Sequence, residues 1–190
     1  MDASGRFGST LVQRLLRRGY KVHAAIQNPS ENQGLDCENK NLKIFQSDPF
    51  DYHSIIEALK GCSGLFYSFQ PPQDQSTYDL WHALSKTLAE KTAWALAMDR
   101  GMNLVCINAG LLMGPELSIT NPYLKGAAEM YEDGVFVTVD LNSLADAHIC
   151  VFEDVSSYGR YLCFSHVINS TEDAIKMAQM LDPASPQPQR

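Results

Sequence analysis

The sequence predicts an α/β protein: a doubly wound parallel sheet that is incomplete because two strand segments are missing. One observation is a glycine turn that leads directly into an amphipathic helix and then a strand, all within residues 2–26. A second is the alternation of helix and strand patterns along the rest of the chain. A third is spacing, because no strand pattern precedes the glycine turn and only residues 70–79 separate a central strand from the longest helix.

The first element is the turn Asp2–Gly8, in which Gly5 and Gly8 lie three residues apart before an amphipathic helix over Ser9–Arg18. Two glycines at a helix start let the backbone approach an anion and let the helix pack close to a sheet. The same spacing also occurs as a plain capping and packing device. The strand pattern Tyr20–Ile26 that follows gives the order turn, helix, strand, which favours the binding of a nucleotide phosphate.

The next elements complete the front half of a doubly wound sheet without its first strand. After a turn at residues 27–30 and a polar loop, alternating apolar residues and turn residues predict three elements. These are a strand over Leu42–Gln46, a helix over Tyr52–Leu59 with Ile55, Ile56 and Leu59 on one face, and a strand over Leu65–Phe69.

The second half continues the alternation from the longest helix onward. Gly101, Asp140 and the pair Ser170 and Asp173 supply helix-end signals. The predicted elements are a helix over Leu80–Arg100, a strand over Asn103–Asn108, a loop at 109–115, a helix from Asn121 through Met130, a strand over Val135–Val139, a helix after Asp140, a strand over Arg160–Phe164 and a helix from Ser170 to Leu181. We predict two domains and a tail. Residues 1–115 form an incomplete nucleotide-binding domain, and residues 116–182 form a smaller C-terminal substrate-type region that is mixed with the last sheet strands. Residues 183–190 form a disordered tail.

Composition excludes several classes of function. A net charge of −7 and a pI near 5.1 argue against nucleic acid as a partner. Five scattered cysteines, Cys37, Cys62, Cys106, Cys150 and Cys163, have no metal-ligand spacing and predict buried, reduced thiols and no metal site. No membrane-length apolar run or signal peptide is visible, so we expect a cytoplasmic protein with no membrane partner. We expect Arg14, Arg17 and Arg18 to form a solvated basic face, and the histidines His23, His53, His148 and His166 to be structural.

Two stretches in order carry a family resemblance: the opening Asp2–Ile26, and the helix motif Ser85–Lys91 with the strand and loop Ile107–Pro115 after it. They resemble the extended short-chain dehydrogenase/reductases, specifically the cinnamoyl-CoA reductase and dihydroflavonol reductase group, and most closely its cinnamoyl-CoA reductase-like members. The similarity extends over nearly the whole chain, including Tyr123–Gly126 and Val139–His148. It implies a Rossmann-type fold, NADP(H) or NAD(H) as the cofactor, and hydroxycinnamoyl-CoA or a related phenylpropanoid as the small-molecule substrate.

The resemblance also implies which residues would perform the chemistry. In that family a serine holds the carbonyl oxygen, a tyrosine donates a proton, and a lysine four residues later lowers the pKa of the tyrosine and binds the nicotinamide ribose. Lys86 matches the lysine, but His82 stands at the tyrosine position, with Tyr78 one further turn back. His82 is either the proton donor or a polar residue lining a pocket. The Lys86 cation would disfavour its protonated form.

The same resemblance implies a set of cofactor-binding residues. Gln27 stands at the position where a carboxylate would select NAD and near which an arginine would accept the 2′-phosphate of NADP. A glutamine does not select strongly in either way, so the sequence does not decide between NAD and NADP. Asp48 matches an adenine-contacting aspartate, with an ordinary turn aspartate as the alternative. The glycine fingerprint has Asp2 in place of its first glycine. The full predicted set is Ser4, Gly5, Arg6, Phe7, Gly8, Gln27, Asp48, Phe69, Gln70, Lys86, Ala109, Leu111 and Leu112.

The family's serine has no counterpart, because the segment 70–79 is too short for a helix, a strand and a return. A crossover to a parallel strand takes at least ~10–12 residues with its helix. A deletion near Asp79–Leu80 would leave sheet gaps, in which each unpaired buried backbone group costs ~1–3 kcal/mol against a net stability of ~5–15 kcal/mol. We therefore predict a catalytically impaired NAD(P)H-dependent oxidoreductase. The alternatives are a non-catalytic nucleotide-binding or regulatory relative, and a truncated splice or gene-model product without a stable fold.

Overall fold

A computed structural model describes residues 3–27, 35–48, 50–68, 78–114, 117, 124 and 126–181, with the backbone alone for 78–83. The chain divides into two compact units, Met1–Gln75 with Ala145–Ser157, and Ser76–Leu144 with Tyr158–Arg190. The elements in chain order are α1 (Arg6–Arg17), β1 (Val22–Ile26), β2 (Leu42–Gln46), α2 (Tyr52–Leu59), α3 (Tyr78–Arg100), β3 (Val105–Ala109), β4 (Leu111–Leu112), α4 (Ala127–Glu132), β5 (Val137–Val139), α5 (Leu141–Glu153), β6 (Gly159–Cys163), β7 (His166–Val167) and α6 (Thr171–Leu181).

The first unit is a parallel strand pair covered by helices. β1 and β2 pair in register from Val22 opposite Leu42 to Ile26 opposite Gln46. Their apolar side chains form a core with α1 and with the part of α5 that belongs to this unit. The buried members of this core are Leu11, Val12, Leu15, Val22, Ala24, Ile26, Leu35, Ala145 and Ile149.

The first helix begins three residues earlier than predicted, because Arg6, Phe7 and Gly8 already form its first turn. Its apolar residues recur at a helical spacing, which places one face on β1. The helix ends where expected, since Gly19 adopts a φ of 84° that residues with a side chain rarely take.

The predicted strand at Leu65–Phe69 is wrong over residues 65–68, which have no regular secondary structure. Phe66 packs on the core of the first unit, whereas Leu65 and Tyr67 are about half exposed. A strand needs neighbouring strands to satisfy its backbone groups. Phe69 lies outside the described residues.

The second unit contains two small sheets. β3 pairs with β6 in parallel, from Val105 opposite Gly159 to Ala109 opposite Cys163. β5 pairs in parallel with β4 and antiparallel with β7. A second core lies on this sheet, with Phe136, Ile168 and Met177 buried at its centre.

The structure adds two short strands to the prediction for the second unit. The predicted loop at 109–115 contains β4, and a further strand, β7, follows the predicted last strand. The predicted helix start at Asn121 lies outside the described residues. β4 forms because the Gly110 N–H donates to the Cys163 carbonyl and the Met113 N–H donates to the Val139 carbonyl, both at 2.9 Å. A side chain at Gly110 would come within 2.7 Å of the Val137 carbonyl oxygen, so this close approach requires glycine.

The α/β fold class with parallel strand pairing is confirmed. Among the described residues the strands form three separate sheets, β1–β2, β3–β6 and β4–β5–β7, rather than one continuous sheet. The predicted domain boundaries remain a prediction, and the tail at 183–190 lies outside the described residues.

Candidate functional site

The glycine turn lies at the carboxyl end of β1. The Ala3 N–H donates to the Ala25 carbonyl at 2.9 Å, which ties the chain before the helix to the strand. Gly5 is the N-cap of α1, with φ −61° and ψ 159°, and as a glycine it provides no side-chain cap. The first turn contains no acidic residue.

These features fit the diphosphate of a dinucleotide. The first N–H groups of a helix lack partners within the helix, and the helix dipole places partial positive charge there. A carboxylate at the N-cap would compete with an anion for these N–H groups, and the N-cap residue here is Gly5. The Ser9 and Thr10 hydroxyls instead donate to the Arg6 carbonyl at 3.2 and 2.9 Å, within the helix itself.

Gln27 and Asp48 lie at the same edge of the strand pair as the glycine turn. Gln27 directly follows β1 and is exposed, and Asp48 follows β2 one residue further on. The Ser47 N–H donates to the Ile26 carbonyl at 2.8 Å, which extends the pairing to the strand ends. Ligands of parallel α/β sheets bind at this carboxyl edge. The structure therefore brings together the turn Ser4–Gly8, Gln27 and Asp48 within the first unit.

Asp48 has a structural role in its turn. Its Oδ1 accepts a hydrogen bond from the Phe50 N–H at 2.8 Å, and its own N–H donates to the Ser54 hydroxyl at 3.0 Å. These bonds hold the start of α2. The predicted contact of this aspartate with adenine stays a prediction.

The predicted catalytic residues lie on α3. Tyr78, His82 and Lys86 follow one another at intervals of four residues, so they share one side of the helix at a rise of about 6 Å per step. The side chain of Lys86 is half-buried. The side chains of Tyr78 and His82 lie outside the described residues, and the catalytic roles of His82 and Lys86 stay predictions.

The remaining predicted cofactor residues belong to the β3–β4 region. Ala109 ends β3 and is exposed, while Leu111 and Leu112 form β4 and are half-buried. Leu111 packs against the core around Phe136. Phe69 and Gln70 lie outside the described residues.

Arg17 and Arg18 are exposed on α1, as the predicted solvated face requires, whereas Arg14 is half-buried. Arg14 forms an ion pair with Asp146, and Arg18 pairs with Glu153, which also accepts a hydrogen bond from the Tyr20 hydroxyl at 3.1 Å. The carboxylates lie far away in the sequence, so only the packing of α5 on α1 reveals them. The contact between the His148 and Phe7 rings was not predicted either, because it depends on the same packing.

The prediction of buried thiols is wrong: Cys37, Cys62 and Cys150 are exposed, and Cys106 and Cys163 are half-buried. All five cysteines are free, and no group of metal-ligating side chains was found among the residues the structure describes. Burial, together with the nearby Glu90 carboxylate, raises the pKa of the Cys106 thiol. Glu90 also pairs with Arg160 at 2.6 Å and thereby links α3 to β6. Within the described part of the chain, no helix is long and apolar enough to cross a membrane.

The turn, the parallel strands and the carboxyl-edge residues together define a nucleotide-binding α/β protein. A family model described as NAD(P)H-binding matches residues 3–121. The chain belongs to this NAD(P)H-binding family, so the prediction of NADP(H) or NAD(H) as cofactor is confirmed at that level.

Curated relatives support the resemblance to the cinnamoyl-CoA reductase group. Cinnamoyl-CoA reductase 1 of Petunia hybrida is 26% identical over 258 residues, covering 98% of this chain and 77% of the relative. Tetraketide alpha-pyrone reductase 1 of Arabidopsis thaliana is 26% identical over 267 residues, covering 99% of this chain and 82% of the relative. Both alignments are longer than the 190-residue chain. The relatives therefore contain, inside the matched region, residues that have no counterpart here.

Solved structures show the same fold. Vestitone reductase from alfalfa (Medicago sativa) superposes with a TM-score of 0.68 at 20% identity, covering 96% of this chain and 81% of that one. Yeast methylglyoxal/isovaleraldehyde reductase, solved with NADPH, gives a TM-score of 0.57 at 15% identity, covering 95% and 79% of the two chains. The Rossmann-type fold predicted from the sequence is thus confirmed.

Proposed function

We propose that this protein binds NAD(P)H and is a catalytically impaired reductase of the cinnamoyl-CoA reductase group, with a hydroxycinnamoyl-CoA or related phenylpropanoid as its substrate. The observation that carries the proposal is the first turn of α1, which has a glycine N-cap and no acidic residue, at the carboxyl edge of β1 and β2. The name of the Petunia hybrida relative, cinnamoyl-CoA reductase 1, supports the substrate class.

The residues of the first unit hold the coenzyme in this proposal. The N–H groups of the Gly5–Gly8 turn bind the diphosphate, with Arg6 adding positive charge, and Asp48 binds the adenine. The resemblance assigns Lys86 to the nicotinamide ribose. The chemistry that NAD(P)H supplies when bound is hydride donation to a carbonyl carbon.

Impairment follows from the missing proton donor and oxygen-holding group. No serine matches the family position, and His82 replaces the tyrosine. The neutral form of an imidazole is a much weaker acid than imidazolium, so a histidine at this position is a poorer proton donor unless it is protonated. Proton transfer by a positioned side chain contributes about 10²- to 10⁴-fold to enzymatic rates, so its loss is expected to reduce turnover by a comparable factor.

Coenzyme binding is tested by titrating NADPH and NADH against the purified protein and following nicotinamide fluorescence. Arg6→Gln is expected to weaken binding about tenfold, because it removes a charge-assisted contact to the diphosphate. Arg17→Gln, at the other end of the same helix and exposed, is the matched control and should stay within about twofold of the wild type. Removing a cation from the first turn favours the helix dipole, so a loss of binding in Arg6→Gln would not reflect a weaker helix.

The second arm of this test addresses Lys86 and turnover. Lys86→Ala should also weaken NADPH binding, whereas oxidation of NADPH with hydroxycinnamoyl-CoA should stay near the blank in all variants. The absence of binding to the wild type would refute the proposal. Turnover near the enzymatic norm of about 10 s⁻¹ would refute the impairment alone.

The second candidate function is a non-catalytic nucleotide-binding or regulatory relative. The replacement of tyrosine by His82, together with the absent serine, favours it. Tight NADPH binding with no turnover above the blank for any thioester or ketone tested would support this candidate. A lack of cooperative thermal unfolding would instead support the third alternative, a truncated product without a stable fold.

A further inference from the structure

The first turn of α1 contacts α5 through the side chain of Phe7. The Phe7 ring and the His148 imidazole have centroids 4.9 Å apart, with their planes tilted by 57°. Both side chains are half-buried. On α5, His148 is flanked by Ala145 and Ile149, which are fully buried in the core that includes α1.

This contact acts on the part of the chain that the coenzyme is proposed to use. Phe7 lies inside the Gly5–Gly8 turn, and the chain before that turn is tied to β1 through the hydrogen bond from Ala3 to Ala25. The ring of Phe7 is therefore the side chain through which α5 can fix the direction of the first-turn N–H groups. A diphosphate binds more tightly when these groups are already oriented, because ordering them on binding costs affinity.

We propose that His148 is a positioning residue for the coenzyme diphosphate, acting through Phe7 and not by touching the coenzyme. The inference rests on the proposed NAD(P)H binding at this turn. It assigns a role to a histidine for which the sequence shows no ligand spacing. It concerns only the first turn of α1, which α5 contacts through the rings of His148 and Phe7. At the other end of α1 the contact is polar, from Glu153 to Arg18.

The chain offers a matched control for this proposal. Glu153, also on α5, contacts the far end of α1 through Arg18 and Tyr20. Removing that contact loosens the same pair of helices without touching the first turn. A general weakening of the helix pair would thus affect Glu153→Gln and His148→Ala alike, whereas a positioning role affects His148→Ala alone.

The experiment measures NADPH affinity by fluorescence for the wild type and for His148→Ala, His148→Phe and Glu153→Gln. His148→Ala is expected to bind about three- to tenfold more weakly, the effect of losing one aromatic contact. His148→Phe retains a ring against Phe7 and should restore affinity to within about twofold. Glu153→Gln should also stay within about twofold of the wild type.

A second readout uses the protein without coenzyme. Amide hydrogen exchange at residues 5–9 should become faster in His148→Ala and remain unchanged in His148→Phe and Glu153→Gln. If the wild type does not bind NADPH, the proposed function fails, and the exchange data still decide whether His148 fixes the turn. Unchanged affinity and exchange in His148→Ala would overturn the inference. Equal losses in Glu153→Gln, or no rescue by His148→Phe, would overturn it as well.

Discussion

Single side chains set the ends of several helices in this chain. The Ser143 N–H donates to Asp140 Oδ1 at 2.9 Å, and the Asp140 carbonyl accepts from the Leu144 N–H, so Asp140 is the N-cap of α5. The Ser143 hydroxyl and N–H together hold the pKa of Asp140 below its ordinary value. At α6 the Asp173 N–H donates to the Ser170 hydroxyl at 3.1 Å. Both caps were predicted from the sequence, because a cap depends on residues only three positions apart.

Replacing the cap of α5 should weaken the fold. Asp140→Ala is expected to lower the free energy of unfolding by about 0.5–2 kcal/mol, since it leaves first-turn N–H groups of α5 without a side-chain acceptor. Asp140→Asn keeps an acceptor and is the control, with a smaller loss. Urea unfolding followed by circular dichroism measures both changes. Equal losses in the two variants would show that charge, rather than capping, is what Asp140 contributes.

Among the elements, α5 makes the most consequential contacts. Its Ala145 and Ile149 are 0% exposed within the core of the first unit, and its Asp146 and Glu153 pair with arginines of α1. The bounds of β2 and α2 were predicted to the residue, because both are short and bounded by turn residues. The partners of α5 were not predictable, because they lie more than 100 residues away in the sequence.

The buried face of α5 gives a prediction at this scale. Ile149→Ala should lower the free energy of unfolding by about 2–5 kcal/mol, because it removes apolar burial and leaves a cavity against α1 and β1. The adjacent Cys150 is exposed, and Cys150→Ala on the same helix is the control, with an expected change within about 0.5 kcal/mol. Chemical denaturation of both variants provides the comparison. A small effect of Ile149→Ala would mean that this core does not limit stability.

Across the described part of the molecule, the pKa values of hydrogen-bonded carboxylates and of half-buried thiols are shifted in opposite directions. Hydrogen bonds from neighbouring serines, or from Lys60 in one case, lower the pKa values of four carboxylates, and burial raises the pKa values of two thiols. The carboxylates are Glu57, Asp140, Asp154 and Asp173, and the thiols are Cys106 and Cys163.

These shifts predict a stability maximum between about pH 5 and pH 8. A carboxylate with a lowered pKa stabilises the fold above its unfolded pKa of about 4, and this contribution is lost as the pH falls through the folded value. A thiol with a raised pKa favours the fold below its unfolded pKa of about 8.5, and stability is lost as the pH rises through the folded value. Urea midpoints from pH 3 to pH 10, in reducing buffer, measure both limbs.

The two thiols provide the control for the alkaline limb. The double variant Cys106→Ala and Cys163→Ala should lose less stability between pH 8 and pH 10 than the wild type, because alanine does not ionise. Its acid limb should keep the slope of the wild type. If the double variant loses as much stability between pH 8 and pH 10 as the wild type, groups other than these two thiols cause the loss.

The sequence by itself determined the α/β class, most element positions, the helix caps and the family, because each depends on periodicity or on residues close together in the chain. It also predicted a sheet without its central strands. Only the tertiary structure decided that residues 65–68 form no strand, that β4 and β7 add to a sheet, and that Arg14, Arg18 and His148 have partners across α1 and α5. The pairing of strands and the contacts of these side chains depend on which segments lie side by side in the fold. A pattern of neighbouring residues in the sequence does not determine this.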